Sequence, residues 1–421
     1  MFSANSFNSV NAENTLALWR RKVTITFPAG LFGSKTKITW LQLINDISAA
    51  ICICIIVAEY KNTTLLFFTQ MLFFFATFVN SYLKSSKVNV ICLWAVFFYS
   101  LCIISIYWTI STAGAMIYLT TMIKMVLIVV FISLYVEEKR EIDIIFKSII
   151  AGTGILALLL FFYTPFEHWG SERIGAVLGM NQNTVGTIFV YGAALCLYYA
   201  RKTNLYFLLF IVFAAVLMFT GSRRAFILLI LLVFLFFVSN IKKPSNLLYI
   251  IPFGLIIFAL LYLSMNNPVL YNVLGKRMEG LINMFTGEGK VDSSTLKRLD
   301  MISTGINLFK DRILLGYGMN SFRYLNKYRM YSHNNYVELL VSFGLIGTVL
   351  YYTVPFITLV KSLLMWVTKS KEAVITLLLM VILLVGDYGM VTYYSELAII
   401  IITTSYLTAA MSNDNKTVII G

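Results

Sequence analysis

The sequence predicts an all-α integral membrane protein with about twelve transmembrane helices and one large extracytoplasmic loop between helices 9 and 10. Three observations lead there. The chain has 421 residues, 59% of them hydrophobic and 12% charged, against roughly 25% charged in a soluble domain. Its mean hydropathy is +0.82. Apolar stretches long enough to cross a bilayer, about 17–25 residues each, recur along it. The net charge of +14 falls in short clusters between those stretches. It forms no continuous basic stripe or recognition module, so nucleic acid is not an expected partner.

Residues 1–38 form an expected cytoplasmic segment, polar and basic, with no early apolar core of a cleavable signal. Helices 1–9 are expected within 39–265, near 39–58, 63–83, 88–109, 113–136, 143–165, 183–200, 203–220, 225–240 and 246–265. The large loop spans 266–334. Helices 10–12 occupy 335–411, near 335–360, 373–389 and 392–411, and a cytoplasmic tail covers 412–421. Lipid offers no partner to open backbone groups, so each span reads as a helix. The five cysteines all lie inside apolar spans, which suits buried small hydrophobes better than disulfides.

Lys and Arg set the orientation. With a cytoplasmic N-terminus, the inner segments hold Arg20, Arg21, Lys35, Lys84, Lys87, Lys139, Arg140, Arg201, Lys242 and Lys361, among others. The short outer loops hold Lys61, Arg173, Arg223 and Arg224. Both termini are therefore expected in the cytoplasm. Within the long outer loop, Leu299, Ile302, Ile306 and Phe309 repeat at helical steps, Ser293 or Ser294 caps the start, and Gly316 and Gly318 break the end.

That topology collects four features on one face: Arg173 in "EHWGSERIG", Arg223 and Arg224 in "GSRRAF", Arg277 and Arg298 in the long loop, and His333 where the loop re-enters the membrane. A single arginine beside a membrane serves equally well as an interfacial anchor. Several on the outer side, against the positive-inside bias, point to a phosphorylated lipid, because guanidinium binds phosphate at two points. Histidine exchanges protons near neutral pH. His168, beside Trp169, reads as part of an interfacial aromatic loop instead. There is no HExxH or paired-cysteine metal pattern and no Walker loop. Neither a metal nor a cofactor is expected, and a donor would arrive already activated. Lys124 lies mid-span and is expected in a structural pair, with Asp46 as one candidate partner.

His333-Asn334, nine residues, then Gly344-Leu-Ile-Gly347 resembles the signature of the bacterial O-antigen ligase and O-antigen polymerase superfamily. "RIGAVLGMNQN" (173–183), "TGSRRAF" (220–226) and "STLKRLDMISTGINLFKDRILLGYGMNSF" (294–322) resemble other motifs of that family in order and spacing. Arg224 departs from the pattern, where the family often has Gly. The resemblance covers about residues 165–360 and implies a GT-C-like membrane glycosyltransferase in the bacterial cytoplasmic membrane, with its active site on the extracytoplasmic face. It implies His333 as general base, and Arg173, Arg223 and Arg298 as binders of pyrophosphate or sugar. Arg224, Arg277, Asn334 and Glu338 join the candidate substrate-binding set; Glu338 would orient the motif or bind a sugar hydroxyl.

The expected function is polymerisation of undecaprenyl-pyrophosphate-linked repeat units into a surface polysaccharide, O-antigen, capsule or exopolysaccharide. Donor and acceptor are then lipid-linked saccharides, with a chain-length regulator and a flippase of the same pathway as further partners. The first rival is ligase-type transfer of a finished glycan to another acceptor. The more distant rival is a polytopic transporter or lipid flippase, which predicts internal repeats and coupling carboxylates within the spans; the chain shows no repeat and few such carboxylates.

Overall fold

The computed structural model describes residues 22–26, 35–58, 63–84, 88–176, 179–239, 250–286, 293–367 and 370–417. Helices occupy each of the predicted span positions. They are α1 (Trp40–Val57), α2 (Thr63–Lys84), α3 (Val90–Ile104), α4 (Leu119–Tyr135), α5 (Lys139–Tyr163), α6 (Gln182–Ala200), α7 (Asn204–Phe219), α8 (Arg223–Val238) and α9 (Ile250–Asn266). The loop contributes α10 (Lys276–Thr286) and α11 (Ser293–Asp311), and the chain ends with α12 (Asn335–Val367), α13 (Lys371–Asp387) and α14 (Glu396–Thr417). Seven helical stretches among the described residues are long and apolar enough to cross a membrane, which makes this a multi-pass membrane protein. The helix count of the prediction goes beyond those seven.

One small sheet departs from the all-α expectation. Lys22–Thr26 pairs antiparallel with Lys35–Thr39 ahead of α1. Alternation in "KVTIT" and "KTKIT" suits strands. Thr39 then caps α1, its hydroxyl accepting from the Gln42 N–H while the Gln42 side chain accepts from the Thr39 N–H. The remainder of 1–38 lies outside the described residues, as do 287–292 of the large loop and 418–421 of the tail.

α6 and α14 lie at the centre. α6 packs on α5, α7, α8 and α13, and α14 on α4, α12 and α13. Small residues make the close approach of α6 feasible: a methyl group on Gly192 would stand 2.7 Å from Thr153, and one on Gly186 would stand 2.7 Å from Ala225. Without water to drive helices together, close packing of this kind is what holds a membrane bundle. Peripheral α2 instead exposes Phe67, Phe68, Phe75 and Phe78, as a lipid-facing helix does.

α12 is broken at Gly344, where φ is 64° and ψ −162°. The break frees backbone groups, and the loop strand Ile313–Gly318 takes them up. Leu345 N–H donates to Ile313 O at 2.7 Å and Ile346 N–H to Leu314 O at 3.2 Å. Tyr317 N–H and Gly318 N–H each donate at 2.8 Å, to Val341 O and Ser342 O. Irregular backbone at membrane depth survives only when protein satisfies it in this way. A Cβ on Gly344 would sit 2.3 Å from Leu314 O, and one on Gly316 2.5 Å from Val341 O. The spaced glycines therefore dock the loop onto the broken helix. The loop is fastened on its other side too, Thr109 Oγ1 donating to Met319 O and Asn320 Nδ2 to Gly114 O.

One expectation needs correcting. Lys124 pairs with Glu396, not Asp46; Asp46 is held by Arg140 and Tyr135. The two groups belong to opposite ends of the bundle: Asp46 meets the start of α5, and Lys124 the start of α14. In α11, the packed stripe is Met301 and Gly305, while Leu299 and Ile306 are exposed. Gly305 lets the helix come so near α12 that a methyl there would be 2.2 Å from Val337. Close approach outweighs side-chain size, and the helix turns its smallest residue inward.

Candidate active site

Turns at one end of the bundle carry the site. Ahead of α12 the backbone bends at His333, whose φ is 55°. That left-handed region is uncommon for a side-chain-bearing residue, though His adopts it more readily than most, and such backbone concentrates at functional sites. Its neighbours fix the bend. Ser332 N–H donates to Glu338 Oε2 at 2.8 Å, and Ser332 Oγ to Asn334 O at 2.7 Å. Asn334 Oδ1 accepts from Val337 N–H at 3.1 Å and caps α12. Asn334 and the buried Glu338 thus shape the turn that presents His333, which is the orienting role for Glu338.

The His333 ring lies 4.1 Å from that of Tyr331, centroid to centroid. Burial, then the positive charges of Arg298 and Arg224, push its pKa down to about 4. The imidazole is consequently neutral at physiological pH and has a free lone pair for a proton. Tyr331 also feels Arg298 and Arg224, and lies beside Asn181. These groups come from residues 181, 224, 298 and 331–333, which are widely separated in sequence.

The consecutive arginines of the α7–α8 turn diverge. Gly221 makes the turn with φ 58°, and a Cβ there would meet Val273 O at 2.6 Å. Arg224 reaches inward, donating to Asn183 O at 2.9 Å, to Thr187 Oγ1, to Met390 Sδ at 3.3 Å and to Gly386 O at 3.5 Å. Its Nε is buried without a hydrogen-bond partner. Arg223 reaches outward to the loop, donating to Arg277 O at 3.2 Å and Ser294 Oγ at 3.3 Å. Arg224, not Arg223, is the one that influences His333.

Arg173 Nε donates to Thr220 O at 2.7 Å and its Nη2 to Asn183 Oδ1 at 3.3 Å. Burial and the charges of Arg277, Arg298 and Arg223 lower its pKa to about 10. All the hydrogen bonds of Arg173 and Arg224 therefore end on carbonyls, an amide, a hydroxyl or a thioether. Asp387 is close enough to offset Arg224 in part, but its carboxylate is engaged by Asn335 (3.1 Å), Tyr352 (2.7 Å) and Thr392 (2.6 Å). Partly buried cations without a paired carboxylate are costly, and the cost falls when an anion enters. The arrangement suits two-point contact with phosphate oxygens.

The structure thus gathers His333, Arg298, Arg224 and Arg173, and puts Arg223 and Arg277 on the adjoining loop contact. His168 is apart from this set, 3.7 Å from Glu172. Sequence reasoning did not single out Tyr331, Asn181, Thr187, Met390 or the Asn335–Asp387 link. Asn181 and Asn183 both stood in a recognised motif, so their roles were within reach; Met390 and Asp387 carried no local signal.

Fold and site together define a polytopic membrane protein with a cluster of arginines around a histidine at one end of its helices. A family model described as O-Antigen ligase matches residues 208–352. That segment runs from α7 through the Arg223/Arg224 turn, the large loop, His333 and both glycines of α12, and it supports placement in the O-antigen ligase and polymerase superfamily. Such a family points to an enzyme that transfers glycans. Comparison with curated proteins found no match.

Proposed function

We propose that the protein polymerises undecaprenyl-pyrophosphate-linked repeat units on the outer face of the bacterial cytoplasmic membrane. In this reading all twelve apolar helices span the bilayer and both termini are cytoplasmic. The observation that carries it is the pairing of a neutral, half-buried His333 with Arg224 and Arg173, cations whose hydrogen bonds among the described residues go to neutral groups.

The step is a direct displacement at the anomeric carbon. The acceptor hydroxyl oxygen forms the new glycosidic bond as the bond from carbon to the pyrophosphate oxygen breaks. The hydroxyl proton passes to His333, and the lipid pyrophosphate leaves with the electron pair. Positioned base catalysis of this kind typically contributes about 10²–10⁴-fold. Arg224, Arg298 and Arg173 stabilise the charge that develops on the leaving group. Binding of that anion also offsets the arginine charge on His333, raising its pKa and making it a stronger base once substrate is in place.

Ligase-type transfer of a finished glycan is the second reading, and the wording of the matched family favours it. Purified protein in lipid nanodiscs, supplied with lipid-linked repeat units, separates the two. Polymerisation yields a ladder of products from these units alone, and His333→Ala abolishes it. A ladder of equal yield from the variant removes the base assignment. Transfer only when a different acceptor is added selects the ligase.

A further inference from the structure

Beside the arginine–histidine cluster lies a cavity of about 420 Å³, within the range of about 300–1,000 Å³ usual for small-molecule sites. It shares Asn181 and Thr187 with the cluster: Asn181 lies beside Tyr331, and Thr187 accepts from Arg224. One wall is apolar, with Ile55 and Ile56 of α1 and Leu66 of α2. The lining also carries Asn181, Thr184, Ser395, Glu396 and Tyr394. Glu396 is held from behind, its two oxygens accepting from Lys124 and from Gln70 Nε2, the latter at 2.8 Å. A carboxylate has about four acceptor positions, so Glu396 retains capacity toward the cavity.

We propose that this cavity is a sugar subsite, and that Glu396 accepts hydrogen bonds from hydroxyls of an uncharged sugar in the lipid-linked glycan. The inference rests on the glycan-transfer reading and deepens it. The lining decides among the parts of such a substrate. A polyprenyl tail would leave the polar lining groups unsatisfied, at a cost in every buried group. Pyrophosphate would face Glu396 with no lysine or arginine among the lining residues. A sugar ring presents C–H faces to Ile55, Leu66 and Tyr394, and hydroxyl donors to Glu396 and Asn181. A sugar carboxylate would be repelled by Glu396, so hexuronic acids are excluded.

The test uses purified full-length protein, saturation-transfer NMR with a panel of hexoses, N-acetylhexosamines and hexuronic acids, and a separate titration with inorganic pyrophosphate. At least one uncharged sugar binds the wild type, and hexuronic acids do not compete. Thr184→Phe, which fills the cavity, removes sugar binding, and Glu396→Gln weakens it roughly tenfold, the scale of one charge-assisted hydrogen bond. Both variants bind pyrophosphate as the wild type does, which also shows that they are folded. No sugar binding by the wild type, equal sugar binding by Thr184→Phe, or loss of pyrophosphate in place of sugar each overturns the subsite. If sugar binding behaves as expected while pyrophosphate fails to bind the wild type, the subsite stands and the pyrophosphate-donor reading falls.

Discussion

Two ends of the same bundle treat buried arginine in opposite ways. At the end where α5 begins, Arg140 donates to both Asp46 and Glu141, and Tyr135 adds a hydrogen bond to Asp46. Lys84–Glu137, Lys139–Glu372 and Lys147–Asp143 repeat the pattern around it. Every one of these cations has a carboxylate. At the other end, Arg173 and Arg224 rest on neutral oxygen and sulfur, beside Arg298 and Arg277. Charge balanced within the fold serves the fold. Charge held in position by neutral partners is available to a ligand, and its cost in the empty protein is recovered on binding.

The comparison is sharpest when each end is disturbed separately. His333→Ala should lower the rate of glycan transfer by about 10²–10⁴-fold in the nanodisc assay while inorganic pyrophosphate still binds. Arg224→Lys keeps the charge and loses the fork, so transfer should fall by roughly 10²-fold, the scale seen when one preorganised donor is removed. The thermal midpoint should barely move, because no carboxylate is left unpaired. Arg140→Ala should do the reverse. It leaves Asp46 and Glu141 without their cation and costs up to about 3 kcal/mol, read as a lowered midpoint in thermal unfolding, with transfer per folded molecule unchanged. Equal loss of activity in Arg140→Ala and Arg224→Lys would erase the distinction.

Gly344→Ala tests the joint that carries the histidine. Its backbone region, which essentially only glycine adopts, alone costs about 1–3 kcal/mol, and the clash with Leu314 O adds to that. A lowered midpoint is expected, together with faster proteolysis of the 266–334 loop. The mildest effect is on pH dependence. His333 acts as a base only when neutral, so kcat/KM should rise with pH through about 4 and then level off. The corresponding limb in kcat, which reports the occupied site, should lie at higher pH. Superimposed limbs would mean that bound anion does not offset the arginines.

Much of this organisation was legible in the chain itself. Hydropathy located the helices because apolar length is a local property, and the step in Lys and Arg content separated the two ends. Spacing from His333 to Gly344 and Gly347 drew attention to the right turn. It gave no reason for the glycines, whose purpose is visible only where Gly316 and Gly318 meet the broken α12. Periodicity marked the helix of α11 but not the close approach that Gly305 allows, because it ranks side chains by size.

What the sequence determined alone was therefore membrane class, helix positions and a short set of polar residues worth examining, all consequences of composition within single segments. Tertiary structure decided which of those residues meet. It turned Arg224 inward and Arg223 outward, gave Lys124 to Glu396 instead of Asp46, and set Asn334 and Glu338 to hold His333. Adjacent residues on a helix start diverge by a fixed angle, while partners remote in sequence are selected by packing. A linear pattern encodes the first relation only through its fold and the second not at all.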